Sequence, residues 1–392
     1  MIKLGVIGHG GRVSSFIKSC IRPESTEDVR ITAIVDPDEA GARSRLDGQD
    51  KDVRFYADLD DLVRRGGVDA LIIGTRCNLH SDMAILAAKY DLPLFLEKPV
   101  AIAVEQAEAL ERAFEHSRCP VLVSFPLRTS PLCVLAREKI AAGAVGKPAH
   151  ILAVNYVPYG TTYWETEYRN YAITGGLFLQ KATHDFDYLS YLLDSPIVRV
   201  AATAHYSGMF GGDKPAELNC SDCAEQETCL ESPQSRRRNG SGGTLADHRC
   251  IFSEAAGTPE TGTNEDASSA LLEFANGVHG VYTQVFYSRR DAAARGAVVS
   301  GYHGTLDFDW YRNDLKYVRH HQPFTDRVAA GSGMSHFGGD AVLGRNFVDM
   351  IKGRAASLAP IQAGLASVYS CLAARESARA GAFVPVRQVG QA

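Results

Sequence analysis

Long apolar runs are missing from this sequence. No stretch approaches the roughly eighteen consecutive apolar residues that a membrane-spanning helix requires. Met1 leads directly into a strand pattern, where a secretory signal peptide would place a charged start and an apolar centre. These absences argue against a membrane protein and predict a cytoplasmic location.

Clustered positive charge is scarce as well. The formal net charge is −5 at pH 7, and the one run of three basic residues is Arg236-Arg237-Arg238. Without a longer basic block, binding of a nucleic-acid backbone is not expected as the main task. The run lies in a stretch rich in Gly and Ser, and we expect a solvated loop there.

The cysteines do not form the pattern of a disulfide framework. Nine of them, an odd number, are spread through 392 residues, which favours a reducing compartment. The chain is longer than one core usually holds, and 45% hydrophobic with 22% charged residues is ordinary for a soluble enzyme. We see no internal repeat and expect two domains.

What the sequence does contain begins with a glycine turn. A strand pattern at 2–7 runs into Gly8-His9-Gly10-Gly11-Arg12-Val13, and a helix pattern follows over 14–20. This order places a pyrophosphate on backbone N–H groups at a helix N-terminus. The third glycine of the usual fingerprint is replaced by Val13, so a plain strand-to-helix turn is the alternative.

An acid follows the second strand pattern. Residues 30–35 end at Asp36-Pro37, where a dinucleotide-binding unit places the carboxylate that binds the adenosine ribose. A carboxylate there repels a 2′-phosphate, which favours NAD over NADP. The alternative is a simple Asp-Pro turn.

A polar loop follows the next strand pattern, at 68–75. Thr75, Arg76, Asn78 and His80 are expected along the ribose and nicotinamide side of the cofactor, although each could equally be a helix cap or an ordinary loop residue.

Lys98 stands at the end of a short apolar stretch, residues 92–99, bounded by prolines. The stretch predicts a buried parallel strand, whose carboxyl end would let a cation meet a cofactor and a second molecule together. The alternative is a solvated lysine beside a structural Glu97.

The alternation of strand and helix patterns stops after a strand pattern at 120–125. We therefore predict a dinucleotide-binding domain over 1–125 and a second domain over 126–392.

Several motifs recur in a characteristic order. They are Gly8-His9-Gly10 with Asp36, Val68-Asp69-Ala70 through Thr75, Asn78-Leu79-His80, Glu97-Lys98-Pro99, Leu127-Arg128-Thr129-Ser130-Pro131, Gly143-Ala144-Val145-Gly146-Lys147-Pro148, Gly175-Gly176 ahead of His184, and Gly301-Tyr302-His303-Gly304-Thr305-Leu306. The ordered set, which spans nearly the whole chain, resembles the Gfo/Idh/MocA family of NAD(P)-dependent oxidoreductases.

The resemblance implies a fold, a reaction and an assembly. The fold is α/β, with an N-terminal Rossmann domain and a C-terminal α/β domain that has a large, mostly antiparallel open sheet. The reaction is oxidation or reduction at a sugar or cyclitol carbon, and the assembly is a homodimer or homotetramer formed through the open sheet. The expected cofactor-binding residues are Gly8, His9, Gly10, Gly11, Arg12, Val13, Asp36, Thr75, Arg76, Asn78, His80, Glu97 and Lys98.

The substrate side is expected after a strand pattern at 149–156. An aromatic, polar segment follows over 159–169, and aromatic faces with hydrogen-bonding edges suit a sugar ring. A helix pattern over 177–189 places Gln180, His184 and Asp187 on one face, with Lys181 beside them. The expected substrate residues are Arg128, Tyr163, Trp164, Arg169, Gln180, Lys181 and Asp187. The alternative for the aromatic segment is a surface loop that packs its own rings.

Alcohol oxidation needs a base for the hydroxyl proton. A free histidine, with a pKa of ~6.5, suits this near neutrality, whereas a lysine at ~10.4 must first be depressed. We therefore assign His184 as the base and Lys98 as the cation that holds the substrate oxygen. The family's helix usually carries Asp or Glu where Gln180 stands, and glutamine cannot exchange a proton.

Four cysteines lie in an insertion at about 207–264, called the Cys-rich insertion below. Cys220, Cys223, Cys229 and Cys250 could together bind a structural Zn²⁺, or an iron–sulfur cluster, with His248 as a substitute ligand. The alternative is a set of reduced thiols with no metal.

The sequence thus favours an NAD-dependent oxidoreductase acting on a small carbohydrate-like substrate. Two alternatives stay open. One is a redox-assisted glycosidase, in which tightly held NAD⁺ transiently oxidises the sugar before elimination and return of the hydride. The other is a non-catalytic NAD-binding sensor, which the glutamine at position 180 favours.

Overall fold

The computed structural model describes residues 1–206, 208–240, 244–254, 263–329 and 335–391, and the statements below refer to these residues. Parts of the Cys-rich insertion, at 207, 241–243 and 255–262, lie outside them.

The first sheet is parallel and buried. Its strands are β1 (Ile2–Ile7), β2 (Val29–Val35), β3 (Arg54–Phe55), β4 (Ala70–Ile73), β5 (Leu94–Leu96) and β6 (Val121–Val123). They lie in the order β3-β2-β1-β4-β5-β6, so β2 and β3 are added on one side of β1 and β4 to β6 on the other, which makes the gap between β1 and β4 the topological switch point. In such a sheet ligands bind at this switch point, outside the carboxyl ends of the strands.

Helices connect these strands. They are α1 (Gly11–Phe16), α2 (Glu39–Ser44), α3 (Leu59–Gly66), α4 (His80–Ala87) and α5 (Val104–Phe114). Helix α3 shows why the boundaries fall where they do. The Asp58 carboxylate accepts a hydrogen bond from the N–H of Asp61, and the helix ends at Gly67 with φ +58°.

The second sheet is large and mostly antiparallel. Its strands are β7 (Pro148–Tyr156), β8 (Ile197–His205), β9 (Ala267–Phe274), β10 (His279–Val285), β11 (Ala294–Gly301), β12 (Gly304–Asp309), β13 (Asp314–Arg319), β14 (Thr325–Ala329) and β15 (Val384–Pro385). The order is β14-β13-β12-β11-β7-β10-β9-β8-β15, and within the described residues β7 and β10 are the parallel pair. The predicted fold class is confirmed.

The remaining helices follow the first sheet in the chain, and the longest of them, Ile361–Ala380, packs against β8 and also reaches β6 and α5. They are α6 (Pro126–Thr129), α7 (Pro131–Ala141), α8 (Thr162–Glu165), α9 (Tyr171–Thr174), α10 (Thr183–Leu193), α11 (Pro233–Asn239), α12 (Gly339–Ile351) and α13 (Ile361–Ala380). No helix in the described ranges combines the length and the apolar character that crossing a bilayer requires.

Close packing joins the two halves. A Cβ on Gly344 of α12 would lie 1.9 Å from the Cys20 carbonyl oxygen, so only glycine permits this approach. The Phe347 ring lies 5.7 Å from the Phe95 ring of β5, and the N–H of Val123 donates to the Ala359 carbonyl. The cavity between the halves therefore has firmly held walls.

Two regions differ from the sequence-based expectation. The helix predicted over 177–189 begins as a π-helical turn, Phe178–Ala182, and continues as α10. The basic run at 236–238 lies in helix α11, where the Arg236 side chain is fully buried, so the prediction of a solvated loop is wrong. The reason is an ion-pair network described below.

Candidate active site

A cavity of about 740 Å³ lies between the carboxyl ends of the parallel strands and the π-helical turn before α10. Most residues predicted to bind a cofactor line it. They are Gly8, Gly10, Gly11, Arg12, Val13, Asp36, Thr75, Arg76, His80, Glu97 and Lys98. Tyr163, Gln180, Lys181 and His184 line the same cavity.

The glycine turn leaves room for a ligand on one side only. Gly8 has φ +82°, and a Cβ there would lie 2.7 Å from the backbone nitrogen of Thr75. A Cβ on Gly10 or Gly11 would meet nothing within 4 Å. No side chain caps the N-terminus of α1, which leaves its first N–H groups open to the cavity. The turn therefore fits a pyrophosphate.

Val13 replaces the third glycine of the fingerprint, and Gly74 compensates for it. A Cβ on Gly74 would lie 2.0 Å from Val13 Cγ2. Close approach between α1 and the end of β4 is thus kept by a glycine on the strand in place of one on the helix.

Asp36 is held in a fixed orientation at the end of β2. One carboxylate oxygen accepts from the backbone N–H of His9 (2.8 Å) and the other from that of Asp38 (2.9 Å). The carboxylate lines the cavity and retains lone pairs for a ribose diol. His9 does not line the cavity, because its ring turns away to the Ala42 carbonyl.

Glu97 and Arg12 fix the floor beside Lys98. The Arg12 guanidinium donates to Glu97 (3.0 Å) and to both oxygens of Asp340 (2.7 and 2.9 Å). Ser124 also donates to Glu97. Both Glu97 and Arg12 therefore act as supports that also face the cavity.

Lys98 reaches across to the π-helical turn. Its ammonium group donates to the Gln180 carbonyl (2.7 Å) and lies 3.4 Å from the Gln180 amide oxygen. Burial lowers the pKa of Lys98 to about 8. Among the described residues no carboxylate forms an ion pair with it within 4 Å.

The π-helical turn explains why three polar residues meet here. Gln180, Lys181 and His184 all line the cavity, whereas adjacent residues on a regular α-helix point about 100° apart. The wider turn before α10 lets both 180 and 181 face the same space. Asp187, expected on this face, does not line the cavity.

Lys181 and Tyr159 form a hydrogen-bonded pair on the cavity wall. The distance from Lys181 Nζ to the Tyr159 hydroxyl oxygen is 2.6 Å. Lys181 is 5% exposed, whereas Tyr159 is 41% exposed and opens onto the cavity.

His184 is buried, and its surroundings disfavour the charged imidazolium. Burial, together with the positive charges of Lys98 and Arg295, lowers the pKa of His184 well below its ordinary value. Its Nδ1 is buried and makes no hydrogen bond with any described residue. The His336 ring lies 6.0 Å away and is held by the Asp340 carboxylate, 2.7 Å from its Nδ1.

Several predicted residues lie elsewhere. Arg128 and Asp187 bond each other through both carboxylate oxygens, so they join α6 to α10, and neither lines the cavity. Trp164 is buried against Phe210, and Arg169 donates to Ser253. Asn78 does not line the cavity.

Other lining residues were not assigned from the sequence. His336 lines the cavity, and its backbone is left-handed with φ 45°. The only sign of it in the sequence is weak: it stands shortly before the glycine pair at the start of α12. Tyr159 and Tyr168 also line the cavity, whereas Trp164 does not. All three belong to the aromatic segment expected at the substrate, and nothing in their spacing along the sequence separates them.

The predicted metal site is not supported. Within the described part of the chain, no group of three or more His, Cys, Asp or Glu side chains is arranged to hold an ion. The Cys220 thiol lies 3.7 Å from a ring nitrogen of His248, and the Cys223 thiol lies 3.8 Å from the Lys214 ammonium.

Ion pairs and apolar contacts hold the Cys-rich insertion instead. Arg236 is fully buried and contacts Glu165 at 2.6 Å and Glu231 at 2.8 Å. Phe210 and Ile251 of the insertion share a small core with the aromatic segment. The insertion thus packs against the aromatic segment through these contacts.

Two family models match the chain. The model described as an oxidoreductase family with an NAD-binding Rossmann fold matches residues 2–125, and the GFO/IDH/MocA C-terminal domain matches residues 134–307.

Relatives with curated names share part of the chain. A scyllo-inositol 2-dehydrogenase (NAD(+)) of Bacillus subtilis is 30% identical over 148 residues, which cover 38% of this chain and 42% of the relative. An inositol 2-dehydrogenase of Rhizobium meliloti is 25% identical over 203 residues, covering 52% and 58%. The chain spans about half the length of the curated relatives it matches.

Solved structures match over the full length. A levoglucosan dehydrogenase in complex with NADH and L-sorbose has a TM-score of 0.77 at 17% identity, and the match covers 100% of both chains. At this identity the likeness shows the fold.

Proposed function

Because this chain belongs to the Gfo/Idh/MocA oxidoreductase family, we propose that it is an NAD-dependent oxidoreductase acting on a hydroxyl-bearing carbon of a sugar, cyclitol or sugar derivative. The observation that carries the proposal is that Lys98 and His184, 86 positions apart, line the same cavity as the glycine turn and Asp36.

The cofactor would be held by one side of the cavity. The turn from Gly8 to Val13 would bind the pyrophosphate, and Asp36 the adenosine ribose, which favours NAD over NADP. Thr75, Arg76 and His80 line the continuation of the cavity toward Lys98. When bound, NAD supplies a hydride acceptor.

The opposite side would hold the substrate hydroxyl. Lys98 is a cation without a carboxylate partner within 4 Å among the described residues, so it is free to stabilise negative charge that develops on the substrate oxygen. The His184 imidazole, which lines the cavity, supplies a second hydrogen-bonding group. Tyr163, Tyr168 and the Gln180 amide add polar edges beside aromatic faces, which suits a polyol ring.

The test is direct. Purified protein is titrated with NAD⁺ and NADH by fluorescence or calorimetry, and NADH formation is then followed with a panel of inositols, aldoses and anhydrosugars. We expect binding of NAD(H) and turnover of at least one polyol. Absence of NAD(H) binding would refute the proposal, and binding without turnover of any polyol would indicate a sensor. Aglycone release from aryl glycosides without net NADH would indicate the redox-assisted glycosidase.

We also propose a homo-oligomer formed through the open face of the second sheet. Leu152, Val281 and Leu271 are cross-strand neighbours on β7, β10 and β9, and Leu152 and Leu271 are 39% and 51% exposed. An apolar row of this kind favours association. Light scattering after gel filtration should give a dimer or tetramer that Leu271→Glu dissociates, and a monomeric wild-type protein would contradict the proposal.

A further inference from the structure

The hydrogen bond between Lys181 and Tyr159 is not explained by the roles proposed so far. Lys181 is buried, and its ammonium group forms no ion pair with a carboxylate within 4 Å among the described residues. Its hydrogen bond goes to the phenol oxygen of Tyr159, at 2.6 Å. A buried cation whose partner is a phenol favours the ionised form of that phenol.

A second cation lies nearby. Arg295 of β11 is buried, and its Nε donates to Asp185. Its Nη2 has no hydrogen-bond partner among the described residues. Asp185 is occupied further, because it also accepts from Asn155 and Tyr282. This part of the site therefore favours negative charge at the cavity wall.

The same cations act in opposite directions on two possible bases. An imidazole that takes a proton becomes positive, which Lys98, Lys181 and Arg295 disfavour. A phenolate that takes a proton becomes neutral, and its resting negative charge is stabilised by those cations. The structure thus suits an anionic base better than a histidine.

The same charges and contacts shift the pKa of both side chains. Loss of water contact by itself would raise the pKa of Tyr159, but the charges of Lys181 and Arg295 and the hydrogen bond from Lys181 lower it below its ordinary value. The pKa of Lys181 is lowered by burial, against the opposing effect of Tyr159. The pKa of Tyr163, in contrast, is raised, because the Tyr163 side chain is buried.

We propose that Tyr159, positioned by Lys181, is the catalytic group that takes the substrate's hydroxyl proton, and that His184 orients the same hydroxyl as a neutral hydrogen-bonding group. This inference rests on the proposed oxidoreductase function. It replaces His184 as the base and makes Lys181 a positioning residue.

The substrate O–H bond breaks, and the proton passes to the Tyr159 phenolate oxygen, which becomes a phenol. NAD⁺, held by the glycine turn and Asp36, would accept the hydride that leaves the same carbon as the C–H bond breaks and the carbon–oxygen double bond forms. The phenol then returns its proton to water through the open side of the Tyr159 ring, which is 41% exposed.

Other charged and titratable groups face this pair and must be considered in any pH profile. They are Lys98, Tyr163, Glu165, His184, Asp185, Asp247, His248, Arg295, Tyr311 and His336.

The first test needs no turnover. Tyrosinate absorbance of the cofactor-free protein is followed against pH in wild type, Tyr159→Phe and Lys181→Met, with Tyr90→Phe, a surface tyrosine bonded to Asp60, as the matched control. We expect one tyrosine to ionise first in wild type and in Tyr90→Phe. Loss of that phase in Tyr159→Phe, and its shift upward by about 1 to 3 pH units in Lys181→Met, supports the inference. An unchanged first phase in Tyr159→Phe would overturn it.

The second test compares two substitutions in the oxidation direction. Tyr159→Phe should lower kcat by about 10²- to 10⁴-fold, as expected for loss of a general base, without weakening NADH binding. His184→Asn should lower kcat/KM but keep the rise of activity with pH, and Lys181→Arg should restore activity lost in Lys181→Met. The reverse pattern, in which His184→Asn abolishes the pH dependence and Tyr159→Phe keeps it, would overturn the inference. Failure of wild type to bind NADH would refute the proposed function itself.

Discussion

The two walls of the cavity are built differently. The cofactor wall, formed by the glycine turn at 8–11, the uncapped start of α1 and Asp36, offers mainly backbone N–H groups. Two further backbone N–H groups hold the Asp36 carboxylate in place. The substrate wall, on the opposite side, consists of side chains from distant parts of the chain, and two of them are the ammonium groups of Lys98 and Lys181. A backbone wall is sensitive to added atoms, whereas a side-chain wall is sensitive to lost charge.

The largest expected effect is on the substrate wall. Lys98→Met keeps length and removes charge, and we expect kcat/KM to fall by about 10²- to 10³-fold, because the developing negative charge loses its stabilising cation. NADH affinity should change far less. Steady-state kinetics and an NADH titration measure both quantities.

The pH dependence supplies the control for this substitution. With its pKa lowered to about 8, Lys98 carries its charge below that pH and loses it above. Wild-type kcat should therefore fall above about pH 8, and Lys98→Met should lack that fall. An equal alkaline fall in both proteins would assign it to another group.

The next effect lies on the cofactor wall. In Gly74→Ala the new Cβ would collide with Val13 Cγ2, and overpacking of this kind costs about 1 to 3 kcal/mol in the free energy of unfolding. The second substitution, Val13→Ala, removes the colliding methyl groups. The double variant should therefore lose less free energy of unfolding than the sum of the losses in the two single variants. Denaturant unfolding of all four proteins measures this coupling, and strict additivity would contradict it.

The smallest effect concerns cofactor choice. Asp36→Ser removes the charge that repels a 2′-phosphate and weakens the ribose contact, so the preference for NADH over NADPH should fall by about tenfold, the equivalent of one charged hydrogen bond. Competitive titration of the two cofactors measures the ratio. Asp38→Ser, two residues further along the chain and also lining the cavity, serves as the comparison variant.

The difference between the walls also explains what could be read from the sequence. The glycine turn and Asp36 lie within one strand–helix–strand unit, so their spatial relation follows from local rules. The substrate residues were chosen by α-helical spacing, but Asp187 does not line the cavity, because its carboxylate pairs with Arg128 of α6. Arg128 was assigned to the substrate by resemblance, although Asp187 binds it.

Buried charge was equally hidden from the sequence. Arg236 sits in a run of three basic residues in a polar stretch, a composition typical of a solvated loop. Its burial depends on Glu165, 71 positions earlier, and on Glu231. A buried arginine requires carboxylate partners, and a local sequence pattern does not show which distant residues provide them.

The sequence by itself determined the α/β class, the cofactor turn, the acid after β2 and the lysine at the end of β5, because each depends on periodicity and on a few neighbouring residues. Only the tertiary structure decided that Lys181 bonds Tyr159, that cations surround His184 and that the four cysteines assemble no metal site among the described residues. The physical reason is that the charge state of a side chain depends on the groups that folding brings around it, and those groups are distant in the chain.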